Sequence, residues 1–184
     1  MRWEKIQEAL DAENIYFIDE SGINQGMTRL YGWGEKSERV DDYVPDVRFE
    51  RTSIIAALNV NGVVAPLTYK GAMNGEFFGC YVEQCLAPCL KSGDIVVIDN
   101  LSSHKVQGTL KPLYNKGVTV LFLPPYSPDF NPIELMWSKL KAILRKIKAR
   151  TYEEVQKALQ QALESITQSD ILGWIKHDGY CVNV

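Results

Sequence analysis

The chain has 184 residues, of which 46% are hydrophobic and 23% charged, and its formal net charge is −3. This size and composition are typical of one globular domain with a sizeable core, and no apolar run reaches the length of about 18 residues expected of a membrane span. The four cysteines form no C-x-x-C pair and the chain has 2 histidines. A disulfide framework and a structural zinc site are therefore not expected, and a reducing cytoplasm is the predicted location.

The first half of the chain predicts a short helix followed by three strands. The helix is predicted over residues 2–12 and the first strand over 14–19. A polar, glycine-rich loop then contains Trp33, which either joins the core or offers a surface on which bases stack. Two β-rich runs, 52–59 and 63–69, flank Asn61-Gly62, which is the strongest short-range signal for a hairpin. These three strands are expected to form an antiparallel meander.

The second half predicts helices alternating with two more strands, at 95–99 and 118–123. The strand at 95–99 follows a helical crossover, so it is expected to lie parallel to the first strand. Asn131 and Pro132 predict the N-cap and first position of a long helix. The other helices are predicted at 74–90, 103–115 with a disturbance at Pro112, 151–166, and around Ile171, Trp174 and Ile175. The pattern predicts an α/β fold with a mixed five-stranded sheet flanked by helices.

Three carboxylates occupy positions where such a fold can bring them together. Asp19 ends the first apolar run, Asp99 ends the run at 95–98, and Glu134 lies in the first turn of the long helix. Side chains at the carboxyl ends of strands line the crevice in which open α/β sheets bind their ligands. Hard oxygen ligands suit Mg²⁺ or Mn²⁺, and a pair of such ions catalyses in-line phosphoryl displacement. Asp19, Asp99 and Glu134 are therefore the predicted catalytic and metal-binding residues.

Each carboxylate also has an alternative explanation. Glu134 stands three residues after Asn131, so it is also placed to complete a capping box. Asp99 precedes Asn100 and can close an Asx turn. Glu20 competes with Asp19, but neighbouring side chains on a strand point to opposite faces, so one of the two joins the cluster. Asp19 is preferred because its shorter side chain is more rigid.

A basic segment follows Glu134, although the chain as a whole is acidic. Residues 139–150 contain six basic residues and no acidic one, which predicts either a solvated helix face or a footprint for phosphates. Lys141, Arg145 and Lys148 follow Glu134 at helical spacing and are predicted to bind DNA. His104 is also predicted to lie near the substrate phosphate, with a capping or surface role as the alternative.

Three segments carry a recognisable pattern: FIDESG at 17–22, VIDN at 97–100 with His104, and LPPYSPDFNPIE at 123–134 with Trp137 and Lys141. Together they resemble the catalytic domain of bacterial insertion-sequence transposases of the mariner-like superfamily. Asp99 and Glu134 are separated by 34 residues, the spacing of the D-D-E triad in that group. The resemblance covers about residues 14–150.

The resemblance implies a ribonuclease H-like fold and two divalent cations, Mg²⁺ or Mn²⁺, in each active site. It also implies cleavage of DNA at the ends of a mobile element and joining of the 3′-hydroxyl to target DNA, typically at TA. Such transposases usually carry an N-terminal helix-turn-helix region, whereas about 13 residues precede the first predicted strand here. The expectation is a single catalytic domain over residues 1–184, located with the nucleoid, with a possible homodimer and a separately encoded DNA-binding half as partners. The alternatives are a nuclease without strand transfer and an inactive remnant that binds DNA or protein.

Overall fold

A single five-stranded sheet forms the centre of the molecule in the computed structural model, which describes residues 3–46, 49 and 51–182. Its strands are β1 (Ile15–Ile23), β2 (Thr52–Asn59), β3 (Gly62–Lys70), β4 (Ile95–Ile98) and β5 (Thr119–Phe122). Their order across the sheet is β3-β2-β1-β4-β5. The first three strands pair antiparallel, whereas β1, β4 and β5 run parallel. The predicted mixed sheet, an antiparallel meander with parallel strands beside it, is confirmed.

Six α-helices accompany the sheet in the described ranges. They are α1 (Trp3–Gln7), α2 (Gly75–Tyr81), α3 (Lys111–Asn115), α4 (Ile133–Ile147), α5 (Tyr152–Glu164) and α6 (Gln168–His177). The Asn74 side chain caps α2, and Thr151 with Glu154 forms the capping box predicted at the start of α5. Among the residues that the structure describes, no helix has the length and apolar character needed to cross a bilayer.

Side chains alternate between two cores, one on each face of the sheet. Phe17 on β1 packs into a core with α4, α5 and α6, whereas its neighbour Ile18 packs into a core with α2 and α3. This alternation follows from the two-residue period of a strand. Asp19 therefore lies on the face covered by α4, and Glu20 lies on the face covered by α2.

Three predicted helices are shorter than the sequence pattern indicates. Of the helix predicted at 74–90, only Gly75–Tyr81 is α-helical, and a π-helix at Val82–Leu86 and a 3₁₀ turn at Ala87–Cys89 follow it. The helix predicted at 2–12 ends at Gln7, and Asp11 then caps a separate 3₁₀ turn at Ala12–Asn14 by accepting a hydrogen bond from Glu13 N. The helix predicted at 103–115 is split into a 3₁₀ turn at Ser102–Lys105 and α3. Pro112 lies in the first turn of α3, where its missing N–H costs nothing, so it starts a helix rather than disturbing one.

The long loop after β1 is irregular over the described residues 24–46. Trp33 is fully exposed in it, so this indole is not part of either core.

Candidate active site

The register of the parallel strands places Asp19 beside Asp99. The parallel pairing of β1 with β4 ends at Ile18 opposite Ile98, and each aspartate is the next residue of its chain. Beyond that point β4 ends, while β1 continues to Ile23 and pairs with β2 alone. The prediction that β1 ends at Asp19 is therefore wrong. Asp19 instead reaches an opening because β4 ends beside it. Beyond the end of β4, the parallel half of the sheet is open next to β1.

Glu134 reaches the same opening from the first turn of α4. The three carboxylates line one cleft of about 400 Å³, here called the carboxylate cleft. Its other polar lining residues include Asn100, Lys105 and Asn131. The structure thus brings together the three acids that the sequence predicts, although they come from β1, from the residue after β4, and from α4.

The capping explanation for Glu134 does not hold. Pro132, not Asn131, is the N-cap of α4, and no side chain caps this helix. The buried Asn131 Oδ1 has no hydrogen-bond partner in the described chain, and neither has the buried Asn100 Oδ1. Glu134 is exposed, and its carboxylate accepts no hydrogen bond from a described residue. This leaves its side chain free to turn into the carboxylate cleft.

Asp19 is the most strongly perturbed of the three carboxylates. It is 8% exposed and accepts a hydrogen bond of 3.0 Å from Trp137 Nε1 on α4. Burial, followed by the negative charge of Glu134, raises the pKa of Asp19 from 3.8 to about 8, because both disfavour its charged form. Trp137 lies in the core at 1% exposure, and no local sequence pattern indicates that its indole N–H is directed at Asp19.

A divalent cation fits this set of donors. No three His, Cys, Asp or Glu side chains over residues 3–46, 49 and 51–182 already surround a point at which an ion would sit. The carboxylate oxygens are nevertheless hard ligands of the kind that Mg²⁺ and Mn²⁺ prefer. Repulsion among Asp19, Glu134 and Asp99 raises the pKa of Asp19, and a cation between them would relieve that repulsion.

Asp99 is held by one of its two carboxylate oxygens. Its Oδ1 accepts a hydrogen bond of 3.1 Å from Leu101 N, so the Asx turn considered from the sequence is present. The same oxygen lies 2.6 Å from His104 Nδ1. The second oxygen, Oδ2, has no hydrogen-bond partner among the described residues. The Asx turn and a metal-binding role are therefore compatible, because the turn uses one oxygen only.

His104 links Asp99 to Glu20 through the interior. Its ring is 1% exposed, and its Nε2 lies 2.8 Å from Glu20 Oε1. Burial lowers the pKa of His104, but the hydrogen bonds to Asp99 and then to Glu20 outweigh it and raise this pKa to about 9. The DNA-binding role predicted for His104 does not fit this position, since both ring nitrogens are engaged by carboxylates and the ring is buried. The sequence suggests Glu20 only as an alternative to Asp19, and it does not indicate that Glu20 contacts His104.

The basic segment divides into paired and unpaired side chains. Lys139 binds Asp170 at 2.5 Å, and Arg150 binds Thr28 Oγ1 and loop carbonyl groups near it. Lys148 is the C-cap of α4 with φ 57° and binds Asp42, so it leaves the helix face on which it was predicted. Lys141 is half-buried and Arg145 exposed, and neither side chain has a hydrogen-bond or ion-pair partner in the described part of the chain.

Comparisons with known proteins agree with this geometry. The model of the family described as DDE superfamily endonuclease matches residues 14–156. The Mos1 transposase paired-end complex with left transposon end is 17% identical, with a TM-score of 0.72 over 91% of this chain and 53% of that chain. The catalytic domain of Mos1 mariner transposase is 16% identical, with a TM-score of 0.64 over 94% of this chain and 85% of that chain. No curated protein sequence matches.

These structural matches show the fold. The mixed five-stranded sheet with its flanking helices matches the fold of the Mos1 transposase catalytic domain, so the predicted ribonuclease H-like fold is confirmed. The chain spans about half the length of the transposase chains in the paired-end complexes, 53%. Two of the similar structures are described as the Mos1 mariner paired end complex with Mn and the mariner Mos1 paired end complex with Mg.

Proposed function

The chain belongs to the DDE superfamily endonuclease family, and from this premise we propose that it is a transposase catalytic domain that cleaves and joins DNA strands. The observation that carries the proposal is the shared cleft of Asp19, Asp99 and Glu134. Support also comes from the similar solved structures, which include Mos1 transposase complexes with a transposon end and with Mn or Mg.

Asp19, Asp99 and Glu134 would hold two divalent cations, Mg²⁺ or Mn²⁺. When bound, such a pair supplies activation of a water or 3′-hydroxyl nucleophile and stabilisation of the leaving oxygen. Asp19 is anchored by Trp137, and Asp99 by Leu101 N and His104, so two ligands are fixed on the sheet. Glu134 has no such anchor among the described residues, and it would complete the site from α4 once the cation and DNA are in place.

Basic side chains beside the cleft would hold the DNA backbone. Lys105 lines the carboxylate cleft itself, where its charge can approach a bound phosphate. Lys141 and Arg145 follow Glu134 along α4 at helical spacing. Of the three basic residues predicted to bind DNA after Glu134, these are the two whose charges have no partner among the described residues. Lys148 can join them only by releasing Asp42.

Nicking of a supercoiled plasmid in the presence of Mn²⁺ tests the cleavage step. The wild-type chain should convert the plasmid to the open-circular form, and Asp99→Asn should not, while both keep the same far-UV circular dichroism. Glu153 is an exposed acid on α5, distant in sequence from the residues of the cleft. Glu153→Gln is therefore the matched control and should nick the plasmid normally. Undiminished nicking by Asp99→Asn would overturn the assignment.

Strand transfer distinguishes a transposase from a nuclease that only hydrolyses DNA. A labelled duplex with a free 3′-hydroxyl is incubated with the chain, Mn²⁺ and a target plasmid. A transposase joins the label to the plasmid, and the Asp99→Asn variant does not. Nicking without any joined product would favour the nuclease.

We also propose that two copies act as a homodimer, that a separately encoded DNA-binding half recognises the element ends, and that the protein is cytoplasmic and associated with the nucleoid. The support is chemical: pairing two DNA ends requires two catalytic centres held close together. Light scattering of the chain with a DNA duplex should give complexes that contain two chains, and complexes that contain a single chain would contradict the dimer.

A further inference from the structure

His104 lies between Asp99, which lines the carboxylate cleft, and Glu20, which lies on the sheet face covered by α2. Its Nδ1 is 2.6 Å from Asp99 Oδ1, and its Nε2 is 2.8 Å from Glu20 Oε1. Glu20 and Asp99 retain 14% and 31% side-chain exposure, whereas the ring itself is buried at 1%. Each ring nitrogen thus lies within hydrogen-bond distance of a side-chain oxygen inside the protein, and neither is left for a ligand.

The turn that carries His104 is fixed by close packing. The ring stacks at a tilt on Phe78 of α2, with ring centres 4.3 Å apart. A Cβ added at Gly75, the first residue of α2, would meet Val106 Cγ2 at 2.3 Å and Ser103 O at 3.3 Å. Because only glycine permits this approach, α2 lies directly against the turn, and the imidazole has little freedom to move away from Asp99.

The Asp99 carboxylate needs such support because it follows the last strand pairings of β4, which are those of Ile98 with β1 and β5. β4 ends at Ile98, so Asp99 lies just beyond the sheet ladder. The hydrogen bonds to Oδ1 from Leu101 N and His104 Nδ1 restrict rotation of the carboxylate. Fixing one oxygen leaves Oδ2 as the atom available to a ligand, in a direction that the sheet and α2 define together.

We propose that His104, itself oriented by Glu20, is a positioning residue that fixes the Asp99 carboxylate for binding a divalent cation. This inference rests on the proposed function, since it assigns a role at the same site. His104 does not touch the cation or DNA; it acts through Asp99. Partners of metal ligands that orient them are typically worth 10- to 100-fold in metal affinity.

Two substitutions at position 104 separate positioning from simple packing. In His104→Asn the amide nitrogen can take the place of Nδ1 and still donate to Asp99, but the contact with Glu20 is lost. In His104→Gln the amide can take the place of Nε2 and reach Glu20, but the donor to Asp99 is lost. Both variants remove the ring from Phe78, so a purely structural role predicts equal effects.

The measurement is Mn²⁺ binding by the full chain without DNA, followed by electron paramagnetic resonance of the free ion. His104→Gln should weaken Mn²⁺ binding by about 10-fold or more, and His104→Asn should restore most of that loss. The two variants should have equal stability to urea in chelator. Equal weakening by both variants, or none by either, would overturn the proposal while leaving the proposed function intact. Absence of Mn²⁺ binding by the wild-type chain would overturn both.

Glu20→Asp carries the test if the position-104 variants do not fold. It keeps the charge beside the site but withdraws the oxygen from Nε2 by one methylene group. Since β1 and the ring are otherwise unchanged, the variant should fold and bind Mn²⁺ several-fold more weakly than the wild type. Unchanged affinity in Glu20→Asp would overturn the role of Glu20 and, with it, the proposed link.

Discussion

The raised pKa of Asp19 predicts a specific pH dependence of stability for the metal-free protein. Its folded-state pKa is about 8, against an ordinary value of 3.8. For an acid with a raised pKa, the folded state keeps a proton that the unfolded state has already released. Stability is therefore lost as pH rises from the unfolded pKa to the folded one, by up to about 1.4 kcal/mol per pH unit. The residue is buried, so solvent screening reduces this slope little.

Asp19→Asn removes the titrating group and isolates its contribution. Between about pH 5.5 and 7.5 the wild type should lose about 2.5 kcal/mol relative to the variant, because the folded carboxyl stays mostly protonated over that range. That is a large part of a typical unfolding free energy of about 5–15 kcal/mol. Titrating groups that do not interact with Asp19, such as Asp178, whose pKa burial raises to about 6, are common to both chains and cancel in the difference.

Urea unfolding in chelator, followed by far-UV circular dichroism at several pH values, measures this difference. Saturating Mn²⁺ should then stabilise the wild type, by about 2.7 kcal/mol at about 100 times the dissociation constant, and should stabilise Asp19→Asn much less. If the wild type and the variant keep a constant stability difference across the pH range, then Asp19 is not held in a buried, negatively charged cluster and the reasoning fails.

Three further predictions concern other parts of the chain. Lys141→Gln and Arg145→Gln should each reduce the slope of log DNA affinity against log salt by about 0.9 if each neutralises one phosphate, whereas the exposed Lys157→Gln should leave the slope unchanged. Asp170→Asn should cost about 1 kcal/mol in urea unfolding, since it weakens the α6 capping box. Because Lys139 and then Thr167 lower the pKa of Asp170 to about 2, this cost should be present above pH 3.8 and shrink as pH falls toward 2. A cost that stays constant over this pH range would contradict the assignment. Trp33→Ser should change stability by less than about 0.5 kcal/mol, as expected for an exposed side chain, and a loss of several kcal/mol would show that the indole is buried.

The sheet could be predicted from the sequence because its signals are local. Four strands, β1 to β4, and their directions are predicted by three signals: the apolar runs, the Asn61-Gly62 turn and the crossover through α2. The three acids could be predicted because strand ends and helix starts carry them. The length of β1 could not be predicted in the same way, since Glu20, Ser21 and Gly22 interrupt its apolar run and are held by pairing with β2, which is distant in sequence.

The buried side-chain contacts of the site could not be predicted from the local sequence pattern. No local sequence pattern shows that Trp137 Nε1 donates to Asp19, 118 residues away in sequence, or that Glu20 contacts His104, 84 residues away. The start of α4 was mispredicted because Asn131-Pro132 is a favoured capping sequence, yet tertiary packing places Pro132 at the cap and buries Asn131. Lys148 lies off the predicted helix face because α4 ends at Ile147 and Lys148 itself has a left-handed backbone conformation.

The central claim is that Asp19, Asp99 and Glu134 bind the same divalent cations. Anomalous diffraction at the manganese edge, from crystals of the chain grown with Mn²⁺, tests it most directly. The account predicts manganese density in the carboxylate cleft, within bonding distance of oxygens from all three residues. Density outside the cleft, or inside it with Glu134 turned away, would contradict the claim.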